Sequence, residues 1–103
     1  MPTYIALANW TDEGIRNVRQ TIERCTAFEK HIGEKYGVST EHVYWTIGPY
    51  DFVLIAEVPD DESATAALLE VGSAGTIRTT TLRAYDREEM SRIIERLGPA
   101  PGG

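Results

Sequence analysis

Two runs rich in β-branched and aromatic residues, His42-Val43-Tyr44-Trp45-Thr46-Ile47 and Phe52-Val53-Leu54-Ile55-Ala56, flank Gly48-Pro49-Tyr50-Asp51. Such runs read as strands, and a proline of fixed φ beside a permissive glycine sets a turn, so the segment predicts a hairpin. The second run is apolar on both faces: Phe52, Leu54 and Ala56 alternate with Val53 and Ile55. A strand of that kind has to be covered twice. A layer of helices supplies one cover only, and this constrains the fold more than any other feature.

Around the hairpin the chain alternates between period-two and period-3.6 patterns. Thr3 to Asn9 reads as a first strand. Thr11 or Asp12 then caps a long helix whose stripe runs Ile15, Val18, Ile22, Cys25, Phe28 or Glu29, Ile32 and Tyr36 towards Gly37, with room for one break. Pro59-Asp60-Asp61-Glu62 starts a second helix, with Ala64, Ala67, Leu68 and Val71 inward and Gly72 near its end. Thr76 to Tyr85 is a strand dense in hydroxyls. Asp86-Arg87-Glu88-Glu89 resembles a capping box and opens a last helix, with Met90, Ile93, Ile94 and Leu97 as its stripe and Gly98-Pro99 as its stop.

The order β-α-β-β-α-β plus one helix predicts an α+β, ferredoxin-like fold, a four-stranded antiparallel sheet with helices on one face. The doubly apolar strand then calls for a homodimer in which two sheets pack face to face as a dimeric α+β barrel. With 103 residues the chain is read as a single domain over 1–97, followed by a flexible tail over 98–103.

Composition narrows the function classes. Sixteen acids against ten bases give a formal charge of −6, which disfavours nucleic acid as a partner. No apolar run approaches the roughly 20 residues of a membrane helix. The first residues lack a basic signal-peptide region, so a cytoplasmic location is expected. Cys25 is the sole cysteine; it excludes an internal disulfide and is read as a small buried hydrophobe. His31 is expected in solvent, and His42 has no second ligand at metal spacing. No cofactor or metal is expected. Asp60, Asp61 and Glu62 are explained by helix capping, and Gly72-Ser73-Ala74-Gly75 has the wrong polarity for a phosphate loop.

Three segments carry a family likeness: Asn9-Trp10-Thr11-Asp12-Glu13-Gly14-Ile15-Arg16-Asn17, Gly48-Pro49-Tyr50-Asp51-Phe52-Val53, and the stretch from Gly72 to Ala84 with Arg78-Thr79-Thr80-Thr81-Leu82-Arg83. In this order they resemble the GYD domain family across nearly the whole chain. The resemblance implies a ferredoxin-like dimeric barrel and little about substrate. Pro49 between Gly48 and Tyr50 departs from the family's Gly-Tyr-Asp run; it stiffens the turn and leaves Tyr50-Asp51 in place. The hairpin, with Val58-Pro59-Asp60 and the closing strand, is also similar to effector-binding domains of Lrp/AsnC-type regulators. That likeness implies a small-molecule sensing module alone, without a helix-turn-helix.

The candidate ligand-binding residues are Asn9, Trp10, Tyr50, Asp51, Thr79, Thr81 and Arg83. Asn9 ends the first strand, where an amide both donates and accepts. Trp10 is either a staple at the helix entry or a wall residue. Asp51 either accepts backbone N–H groups of its own turn or faces a ligand. Tyr50 reads as an interface aromatic. Thr79, Thr81 and Arg83 share one strand face; with Leu82 and Ala84 turned to the helices, they are expected to line the barrel interior beside an anionic or carbonyl-bearing ligand. Barrels of the superfamily include cofactor-free and haem-degrading oxygenases, which by resemblance adds Trp45 and His42 as cavity residues.

The resulting expectation is a homodimer that binds a small molecule between its sheets, near the end of the first strand and the hairpin. A cofactor-independent oxygenase, isomerase or cyclase acting on a small carbonyl compound is the enzymatic alternative. A purely structural dimeric module is the third.

Overall fold

The first strand, β1 (Thr3–Trp10), lies inside the sheet, between β3 (Phe52–Glu57) and β4 (Ile77–Ala84), with β2 (Ser39–Trp45) outside β3. Every neighbouring pair is antiparallel. The helices are α1 (Asp12–Arg16), α2 (Thr21–Tyr36), α3 (Asp61–Ser73) and α4 (Arg87–Leu97). This is the ferredoxin-like βαββαβ order with an added terminal helix. The computed structural model describes residues 1–102, so Gly103 of the expected 98–103 tail lies outside the described residues.

Local chemistry sets the element ends. Thr11 Oγ1 accepts the Gly14 N–H at 3.2 Å and caps α1. Asp60 caps α3 through the Ser63 N–H at 2.7 Å, and Asp86 with Glu89 forms a complete capping box on α4. α2 ends on Gly37 at φ 71°, the left-handed conformation that suits glycine.

The long helix expected from Thr11 to Gly37 is broken at Asn17. Its amide donates to the Glu13 carbonyl at 2.8 Å, and a 3-10 turn over Val18–Gln20 intervenes before α2. The break changes the helical phase, which leaves Ile15 and Ile22 exposed although both fit one continuous stripe. α1 instead docks through Gly14, where an added Cβ would sit 2.0 Å from the Thr76 carbonyl oxygen. Thr11 completes this dock, its N–H donating to the Thr76 carbonyl at 3.0 Å and its hydroxyl to that of Gly75 at 2.6 Å.

The hairpin is present with a wider connection than expected. β2 ends at Trp45, and Thr46 turns inward to bond the loop: its N–H donates to the Asp51 carbonyl at 2.8 Å and its hydroxyl to that of Tyr50 at 2.6 Å. Ile47, read as a strand residue, is fully exposed at the tip.

Register assigns the two faces. Tyr4, Ala6, Ala8 and Trp10 stand opposite Ala56, Leu54 and Phe52 on one side and Arg83, Thr81, Thr79 and Ile77 on the other. This is the face under α2 and α3, where Ile32, Val38, Ala56, Val58, Ala64 and Ala67 form the buried cluster with Tyr4, Phe28 and Leu54 beside it. The expected orientation of β4 is therefore reversed. Thr79, Thr81 and Arg83 lie on the helical side of the sheet, and Leu82 and Ala84 lie on the open side with Ile5, Leu7, Val53 and Ile55. Leu82 and Tyr44 on that open face are exposed.

α4 stands apart. Arg83 pairs with Glu89 at 3.3 Å near its start, while Met90, Ile94 and Leu97 remain 46%, 55% and 76% exposed. The molecule extends 57 Å along its long axis with a radius of gyration of 16.4 Å. A compact domain of this length has about 13 Å. The projecting helix accounts for the excess.

Candidate functional site

The helical side of the sheet is floored by small residues. Ala6 and Ala8 of β1 pair with Leu54 and Phe52, Ala56 of β3 pairs with Tyr4, and Ala56 packs with Ala64 and Ala67 of α3. No large side chain is completely buried among the described residues. Beside these buried methyl groups a cavity of about 610 Å³ lies between the sheet and helices α1, α2 and α3. Its aromatic wall includes Trp10, Phe28, Trp45 and Phe52, with Trp10 and Phe52 tilted at a centroid distance of 6.1 Å. Thr79 and Thr81 bring hydroxyls to the same wall.

Polar links hold the helical layer over this space. The Tyr4 hydroxyl donates to Asp61 Oδ1 at 2.6 Å, joining β1 to the start of α3 and raising the phenol's pKa. Trp45 Nε1 donates to Thr21 Oγ1 at 3.0 Å, joining β2 to the start of α2. Between the helices Glu70 receives three donors from α2: Lys35 Nζ at 2.6 Å, the Tyr36 hydroxyl at 2.9 Å, and His31 Nε2. Lys35 and Tyr36, with His31 adding to them, lower the Glu70 carboxyl from 4.5 to about 2.

Of the residues expected to bind ligand, three line this cavity: Trp10, Thr79 and Thr81. Asn9 alternates to the open face, where its amide donates to the Pro49 carbonyl at 2.8 Å. Asp51 Oδ2 accepts the Trp10 N–H at 2.8 Å, and the Asp51 N–H donates to the Ala8 carbonyl at 2.8 Å. Its carboxylate thus ties the hairpin to β1 across the sheet, a partner other than the turn itself. Tyr50 is half-buried, and its carbonyl accepts from Thr46. Arg83 is at the far end of β4, against Glu89, the Ala84 carbonyl and the Tyr85 ring, with its guanidinium carbon 4.4 Å from the ring centroid.

His31, expected in solvent, pairs with Glu70 while half of its side chain stays exposed. The sequence signal for this latch was faint: His31 and Lys35 are four residues apart on one helical face, and Glu70 follows an apolar run. Cys25 also lines the cavity. Burial, reinforced by its hydrogen bond to Glu29 at 3.2 Å, pushes the thiol up to about 12, so it stays protonated and unreactive. Among the described residues no group of three His, Cys, Asp or Glu side chains is placed to hold a metal ion. Among them, too, no helix is long and apolar enough to cross a membrane.

Fold and cavity define an α+β ferredoxin-like domain with a hollow between its helices and its sheet. The family model of the GYD domain matches residues 4–94, and the chain belongs to that family. It is similar to a Thermus thermophilus protein described as "Glutamine synthetase and cystathionine beta-lyase binding protein", with 34% identity covering 94% of this chain and 99% of that one. The crystal structure of TTHA0845, also from Thermus thermophilus, is similar at 27% identity and a TM-score of 0.50, covering 84% of this chain and all of the other.

The Glu70 latch makes a pH-dependent contribution. Its folded value lies below the unfolded one, so the stabilisation is complete above about pH 4.5 and lost as the pH falls towards 2. Thermal unfolding of wild type and Glu70→Gln across this range will show a wild-type advantage at pH 6 that shrinks steadily below pH 4.5.

Proposed function

We propose that this protein is a homodimeric small-molecule-binding protein whose ligand occupies the cavity between the helices and the sheet. The observation that carries the reading is the cavity itself: about 610 Å³, walled mainly by alanine, aromatic and aliphatic side chains, with a few hydroxyls and with Glu13, Asn17, Arg24, His31 and Glu70 also on its lining. Ligand pockets typically have this size and this balance of apolar wall and sparse polar groups. A space expected between two sheets is thereby exchanged for one beneath α2 and α3 of each chain. The residues of the enzymatic alternative, Asn9, Trp10, Tyr50, Asp51, Thr79 and Thr81, are divided between the two faces, and Asn9 and Asp51 are engaged in holding the hairpin.

The open face supports the dimer. Ile5, Leu7, Val53, Ile55 and Leu82 form a contiguous apolar surface without a helix over it. A patch of that kind marks an association site. Two such faces packed together give each doubly apolar strand its second cover and leave the cavities accessible. A second reading, docking to an enzyme, is favoured by the name of the Thermus relative and by the exposed stripe of α4.

Two experiments test the reading. Ethylbenzene, a neutral aromatic probe, will raise the melting temperature of wild type by several degrees and leave Ala67→Phe, whose ring fills the cavity, unmoved. A rise of equal size in Ala67→Phe, or none in wild type, contradicts the cavity. Light scattering will give the mass of two 11.5-kDa chains for wild type and of one for Ile55→Asp, with monomeric wild type contradicting the dimer.

A further inference from the structure

Thr79 and Thr81 are two positions apart on β4, so their side chains emerge on the same face about 7 Å from one another. Their cross-strand partners are Ala8 and Ala6. Methyl groups opposite leave both hydroxyls uncovered, and both line the cavity. Among the described residues neither hydroxyl is engaged in a side-chain hydrogen bond, in contrast to Thr11, Thr26, Thr46 and Thr65, whose hydroxyls all donate to a backbone carbonyl. Each can give one proton and accept through two lone pairs. Two unmatched hydroxyls beside the alanine and aromatic part of the wall are able to hydrogen-bond a ligand oxygen.

The charges near the cavity argue for an uncharged ligand. Glu70 is saturated by Lys35, Tyr36 and His31 and has no demand left for a cationic partner. Arg24 and Glu13, also on the lining, have no ion pair among the described residues, but both are exposed, on α2 and α1, while both threonines are half-buried on the sheet. An anion held by the threonine hydroxyls would lose its hydration against alanine and phenylalanine without a buried cation to compensate. A carbonyl or hydroxyl oxygen meets the two hydroxyls with no such loss.

We infer that Thr79 and Thr81 form the polar recognition element of the cavity, selecting an uncharged, largely apolar compound that carries a carbonyl or hydroxyl oxygen. This rests on the cavity being a ligand site and adds the chemical class of what it takes. It also predicts that the end of the ligand bearing oxygen lies against β4, at the edge of the sheet, and that the hydrocarbon part reaches towards Trp10 and Phe28.

The test compares acetophenone with ethylbenzene, which differ by a ketone oxygen, using calorimetric titration of the full chain. Replacing both residues, Thr79→Val with Thr81→Val, keeps shape and strand propensity and removes the hydroxyls. The ratio of acetophenone to ethylbenzene affinity will fall about 3- to 10-fold in that variant, the usual effect of one net hydrogen bond. Ethylbenzene binding will persist, which also reports that the variant is folded. Thr80→Val, on the opposite face, will leave the ratio at its wild-type value. An unchanged ratio in the double variant overturns the inference while the cavity reading stands. Tighter binding of benzoate than of acetophenone, abolished by Arg24→Gln, overturns it in favour of an anion. Failure of wild type to bind either neutral probe overturns both the inference and the cavity reading.

Discussion

The structure depends on how its helical layer is supported. Its packed core is small, built from Ile32, Val38, Ala56, Val58, Ala64 and Ala67, and the cavity lies beside it. The layer is therefore also fixed at its margins. Tyr4 holds the start of α3, Trp45 the start of α2, Gly14 and Thr11 the short α1, and Glu70 ties α2 to α3. Native interiors are close-packed, and leaving them empty costs stability in proportion to the void. A hollow bounded by polar links is consistent with a space kept for a ligand.

The two faces of the sheet support the two parts of the proposal. The helical side carries the cavity; the open side carries an apolar surface suited to a second copy of the chain. Tyr50 and Asp51, at the hairpin that marks the family, are not on the cavity lining. Asp51 receives the Trp10 N–H and bonds to Ala8, so it locks the end of β1 against the hairpin. Through that clamp it sets where Trp10 stands in the cavity wall. A family signature here reads as architecture that positions a site rather than as a contact within it.

Much of the fold was legible in the residues. The capping signals at Thr11, Asp60 and Asp86 marked helix starts, and the hairpin and ferredoxin-like order followed from local pattern. The facing of β4 was not legible, for a physical reason. When both faces of a sheet are apolar, alternation no longer says which one the helices cover, and Leu82 and Ala84 looked like the inward set. Only the register of Thr79 and Thr81 opposite Ala8 and Ala6 decides it. The Glu70 latch was faint for another reason: its donors are 34 to 39 residues away in sequence, so no local spacing links them to Glu70. Asn9 was placed correctly at the end of β1, yet its amide is spent on Pro49, a partner only the folded hairpin supplies.

The central claim is that the space beneath α2 and α3 admits a small apolar molecule. Alanine methyl resonances test it most directly, because Ala6, Ala8, Ala56, Ala64 and Ala67 line that space and Ala84 faces the opposite side of the sheet. Titration with cyclohexane, a hydrocarbon without any polar handle, should shift several of the first five methyl signals in a saturable manner and leave Ala84 in place. Shifts confined to Ala84 and its neighbours on the open face, or no saturable shift at all, would contradict the account.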